Sequence, residues 1–88
     1  MSASTDAATN PRVAEAMTRV TAALAGPGSL SEKLGTMDSV TLLLGAIGSA
    51  ELLVALLVEG EEEYAVAKGA SAMVAVVLER VCPGWAST

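Results

Sequence analysis

Apolar residues in the first third of the chain recur at helical spacing: Val13, Met17, Val20 and Leu24 fall on one face. Asn10-Pro11 opens this segment with a preferred N-cap and a proline at the first helical position, where the missing N–H has no intrahelical partner to lose. Gly26-Pro27-Gly28 closes it. The polar stretch 29–37 predicts a loop with one helical turn around Ser31, Glu32 and Lys33, leading to a second capping signal at Asp38-Ser39. The pattern then changes character. Residues 41–58 carry a single charge, Glu51, and leave only a narrow strip of small or polar side chains that includes Thr41, Gly45, Gly48 and Ser49. A helix this apolar around its circumference is expected to be buried on most sides.

The run Glu59-Gly60-Glu61-Glu62-Glu63 predicts the next break, with its later acids in the first turn of a following helix, where the backbone dipole favours negative charge. Gly69 and Ser71 predict a kink or a fresh N-cap within that helix. Met73, Val74, Val77, Leu78 and Val81 read as one last apolar stripe, Pro83-Gly84 ends it, and Trp85 is expected to fold back onto the core. No segment has the alternation or turn dipeptides of a β-hairpin. The expected fold is therefore all-α: a small bundle of three to four helices in one domain over residues 10–85. Residues 1–9, rich in Ser, Thr and Ala and lacking a basic or apolar run, read as a disordered tail rather than a signal peptide.

Composition narrows the chemistry. Hydrophobic residues make up 52% of the 88 positions but aromatics only 2%, so the core must be built from Ala, Val and Leu. The net charge is −5, and the cations Arg12, Arg19, Lys33, Lys68 and Arg80 are scattered; without a basic patch, nucleic-acid binding is not expected. Histidine is absent and Cys82 is the single cysteine, which removes the usual triads, dyads and Cys/His metal sites. No catalytic residue and no metal ligand is assigned. Cys82 reads as a small apolar residue at a helix end, compatible with a reducing cytoplasm. Glu51 reads as a structural carboxylate, turned to solvent or paired with Lys33 or an arginine.

The segment Leu34-Gly35-Thr36-Met37-Asp38-Ser39-Val40, set before an apolar helix, resembles the attachment site of the acyl and peptidyl carrier proteins. In that family an aspartate–serine–hydrophobic triplet presents the serine for 4′-phosphopantetheine. The resemblance implies Ser39 as the tethering residue, Asp38 beside it as the other cofactor-site residue, and a swinging thioester passed between partner enzymes. It runs loosely over residues 11–81, through the acidic segment 59–63 and the last helix at 71–81. The chain departs from the pattern in the helix after Ser39, which is longer than the family's and nearly uncharged. Asp38-Ser39 is also an ordinary N-cap pair, and both roles are compatible with one fold.

The alternative is a non-catalytic structural or interaction protein. So much apolar surface in so short a chain needs cover, and the apolar helix 40–58 is expected to meet a protein partner or a copy of itself. Gly45 with Ser49 and Ala46 with Ala50 are small-xxx-small pairs that admit a close helix neighbour. A membrane-embedded hairpin ranks behind these readings. Residues 41–58 approach the roughly 20 residues a bilayer span needs, but Glu51 falls near their middle, no cluster of Lys or Arg flanks them, and the second apolar stretch, 69–78, is short.

Overall fold

The computed structural model describes residues 10–87, and the tail expected over residues 1–9 lies outside them. The described chain is all-α: α1 (Pro11–Leu24), α2 (Leu30–Leu34), α3 (Ser39–Leu56) and α4 (Glu62–Val81), followed by a 3-10 turn (Trp85–Ser87). The starts of the first three helices follow from their capping chemistry, whereas α4 has no side-chain cap at Glu61 and carries Glu62 and Glu63 in its first turn. The Asn10 carboxamide accepts from the Arg12 amide at 2.9 Å, with Pro11 at the first helical position. Ser29 and Glu32 form a reciprocal capping box on α2, and the Asp38 carboxylate accepts from the Thr41 amide at 3.0 Å on α3. Between α3 and α4 the chain reverses through Gly60, whose φ of +97° suits a residue without a Cβ.

Helix α3 is the central element, packed against α1 on one side and α4 on the other. Gly45 and Gly48 set its approach to α1. A Cβ at Gly45 would lie 2.9 Å from Val20 Cγ2, and one at Gly48 would lie 2.8 Å from Val13 Cγ1 and press on the Met17 sulfur. Val13 lies at the later α3 glycine and Val20 at the earlier one, so α1 and α3 run antiparallel. The core gathers at this end of the molecule: Val13, Ala16, Leu44, Ile47, Leu78 and Trp85 are all buried. Trp85 folds back onto it as expected, fixed where the Asn10 amide donates to its carbonyl at 3.1 Å.

Several expectations change. Helix α3 is not buried on most sides: about 28% of it is buried, and Leu52, Leu53 and Leu56 are 56%, 49% and 75% exposed. The reason is length. Helix α1 has 14 residues and meets α3 around Gly45 and Gly48, so the last turns of the 18-residue α3 have α4 as their principal neighbour. Helix α4 runs unbroken through Gly69 and Ser71, so no fresh N-cap forms there; Ser71 is held in the helix interior with its hydroxyl donating to Glu51 Oε2 at 3.0 Å. The last apolar stripe divides as well. Leu78 is buried and Val74 half-buried, whereas Met73, Val77 and Val81 face outward.

Candidate functional site

The start of α3 places the residues picked out by the carrier resemblance. Asp38 is the N-cap, outside the helix proper, and Ser39 is its first helical residue. Both Asp38 oxygens turn back to the helix: Oδ2 accepts from the Thr41 amide and Oδ1 from the Thr41 hydroxyl at 2.7 Å. These bonds, the hydroxyl's first and the amide's second, hold the Asp38 carboxyl below the ordinary carboxylate range, with a smaller contribution from the charge of Arg19. Ser39 is exposed. Arg12 and Arg19 of α1 line a polar recess of about 250 Å³ together with Asp38 and Thr41.

A phosphodiester on Ser39 would find an open position at a helix start, where free backbone amides favour an anion. It would also stand next to the ionised Asp38. The Thr41 amide is already taken by the Asp38 carboxylate, while the Leu42 amide makes the ordinary helix bond to the Asp38 carbonyl at 3.0 Å. The two arginines lie on the Asp38 and Thr41 side of the helix start. The position is accessible, and one of its first-turn amides is used in capping.

Glu51 takes neither of the partners expected for it. It is half-buried, accepts from Ser71, and shares a recess of about 280 Å³ with Lys68 and Trp85. Lys68 itself lies over the Tyr64 ring, 5.9 Å from its centroid. Cys82 is the C-cap of α4, half-buried against the core, with its sulfur accepting from an Arg12 guanidinium N–H at 3.5 Å. Among the described residues, no group of His, Cys, Asp and Glu is placed to hold a metal ion.

A second candidate surface lies at the other end of the hairpin. Leu53 of α3, Leu57 at its C-cap, and Val66, Ala67 and Ala70 of α4 line an open apolar groove of about 460 Å³, rimmed by Glu62 and Glu63. The outer face of α4 continues this surface: Val66 is 66% exposed, Met73 67% and Val76 52%. Sequence periodicity alone assigned Met73 to the core and overlooked Val66 and Val76. A three-four spacing through 66, 69, 73 and 76 was available to find them. No family model, curated protein or solved structure matches the chain.

Proposed function

We propose that this protein is a non-catalytic interaction module that works by self-association through the α3–α4 hairpin. The observation that carries the reading is the exposure of large apolar side chains along both helices of the hairpin, from Leu52, Leu53 and Leu56 on α3 to Val66, Met73 and Val76 on α4. Apolar side chains scattered singly on a surface need no explanation, but this many on two packed helices, with Leu53 and Val66 meeting in one groove, mark a surface that another body covers. The occupant is a second copy, because the outer face of α4 carries complementary charges at its two ends, Glu62 and Arg80.

Sedimentation velocity without detergent tests this. A dimer or larger oligomer at micromolar concentration is expected. A monomer at every concentration overturns the reading, as does recovery of the chain only with phosphatidylcholine vesicles, which would assign the surface to lipid instead.

The exposure of Ser39 at the first position of α3 favours a second reading, the phosphopantetheine carrier. Incubation with coenzyme A and a phosphopantetheinyl transferase, followed by intact-mass measurement, decides it. The carrier reading requires a gain of one phosphopantetheine that Ser39→Ala abolishes. An unchanged mass, under conditions that modify a known carrier, removes it.

A further inference from the structure

The outer face of α4 is self-complementary under a two-fold rotation. Glu62, Val66, Gly69, Met73, Val76 and Arg80 are all exposed and follow one another at spacings of four, three, four, three and four. That is the spacing a coiled-coil seam uses, here on the side of α4 turned away from its core residues Ala67 and Leu78. We infer that two copies of this chain pair through α4 in an antiparallel dimer centred near Ser71, which deepens the self-association reading by naming the contact.

Rotation about that centre sets each residue of the seam opposite a defined partner. Glu62 faces Arg80 of the second copy, Val66 faces Val76, and Gly69 faces Met73, each pair occurring twice in a two-fold contact. The charges match at both ends of an overlap about 27 Å long, from a rise of about 1.5 Å per residue. The centre matches in shape. Gly69 has nothing within 4 Å of where a Cβ would stand, and Met73, flexible and 67% exposed, is the longest apolar side chain of the seam. A Met73 from each copy fills the space over the other copy's Gly69.

The groove beside the seam fits the same arrangement. Val77 and Val81 lie on the flank of α4 that also carries Ala70, and the rotation brings this flank of the second copy alongside Leu53, Leu57 and Val66. The partner copy's Val77 then covers the open groove. Glu79 stands on the opposite flank of α4, where its carboxylate accepts from the Gly84 amide at 3.0 Å. No side chain of the seam has to leave the monomer's core, so the isolated chain and the dimer share one fold.

Charge reversal on the full chain, read by sedimentation equilibrium, tests the pairing. Glu62→Arg sets two arginines against each other at both ends, and Arg80→Glu does the same with two glutamates. Each is expected to raise the dimer dissociation constant roughly tenfold, and the double variant to restore it, since the swapped pair is again opposite in sign. Gly69→Leu fills the space of the incoming Met73 and is expected to leave a folded monomer by circular dichroism, because that space is open in the single chain. A dimer whose constant is unmoved by Glu62→Arg and Gly69→Leu overturns the α4 pairing while leaving self-association standing, as does failure of the double variant to recover. A monomer at all concentrations overturns both.

Discussion

Asp38 shows how one residue can serve a local need and be read from sequence as something more. Its carboxylate closes two hydrogen bonds to Thr41, and the Glu32 carboxylate accepts from the Ser29 amide while the Glu32 amide donates to the Ser29 hydroxyl oxygen; both carboxyls titrate below their ordinary values, Asp38 through Thr41 and Glu32 through the Ser29 amide first and the Ser29 side chain second. A carboxyl whose folded value is depressed contributes stability that is fully present above the range of the unfolded chain, about pH 4, and is lost as pH falls through the lower folded value. The thermal midpoint is therefore expected to drop on acidification below about pH 4. In Asp38→Asn, which keeps a capping oxygen but no titrating group, that acid-side drop should be shallower, by circular dichroism melts between neutral and acidic pH. A slope unchanged by the substitution would mean that Asp38 takes no part in it. The cap was legible in the tripeptide Asp38-Ser39-Val40 because capping depends on neighbours in sequence. Whether Ser39 also carries a prosthetic group depends on what recognises it, which local pattern does not encode.

At the scale of elements, the pair Gly48 and Gly69 separates two uses of glycine within long helices. Gly48 lets α1 close on α3: a Cβ there would stand 2.8 Å from the buried Val13 and 2.9 Å from Met17 Cγ. Gly69 lies on the outer face of α4 with open space around it. Alanine gains about 1 kcal/mol over glycine in a helix interior, but overpacking a close contact costs about 1–3 kcal/mol. Met17 can move aside, while the stiff Val13 cannot. Gly48→Ala is thus expected to lose about 1 kcal/mol net, and Gly69→Ala, measured on the dissociated chain, to gain roughly 0.8 kcal/mol. Urea unfolding of both variants checks the opposite signs, and equal gains at the two sites would show that α1 does not close on Gly48. This difference also explains what the hydrophobic pattern could deliver. The existence of each helix was legible from caps and breakers, and so was the short turn around Glu32. Which side of α3 is covered was not, because a helix apolar around its whole circumference has no preferred face for periodicity to find. The covering is set by the length of α1, which runs out before α3 does.

The whole molecule is tied end to end at a single small core. Asn10 caps α1 through its oxygen and donates through its nitrogen to the carbonyl of Trp85, 75 positions away, while the Trp85 ring is buried against Ile47 and Leu78 in the same cluster. The two ends of the described chain therefore stabilise each other, and their link closes the end of the bundle where α1, α3 and α4 all meet. Removing the whole carboxamide in Asn10→Ala loses the cap, about 1 kcal/mol, and also the buried bond to Trp85, about another 1 kcal/mol. Asn10→Asp separates the two roles, since a carboxylate still caps a helix start but has no N–H to offer the carbonyl. It also brings a negative charge toward that carbonyl oxygen, so it should recover the capping share and none of the rest. Trp85, the only tryptophan in the chain, reports the outcome directly. Its emission should shift to the red in both variants at temperatures below the main unfolding transition, because the 3-10 turn that carries it loosens before the hairpin does. If Asn10→Asp matches the parent in both stability and emission, the contact between the ends is incidental and the core holds Trp85 by packing alone. If Asn10→Ala unfolds α1 and leaves the α3–α4 hairpin helical, the end-to-end link is the step that completes the bundle.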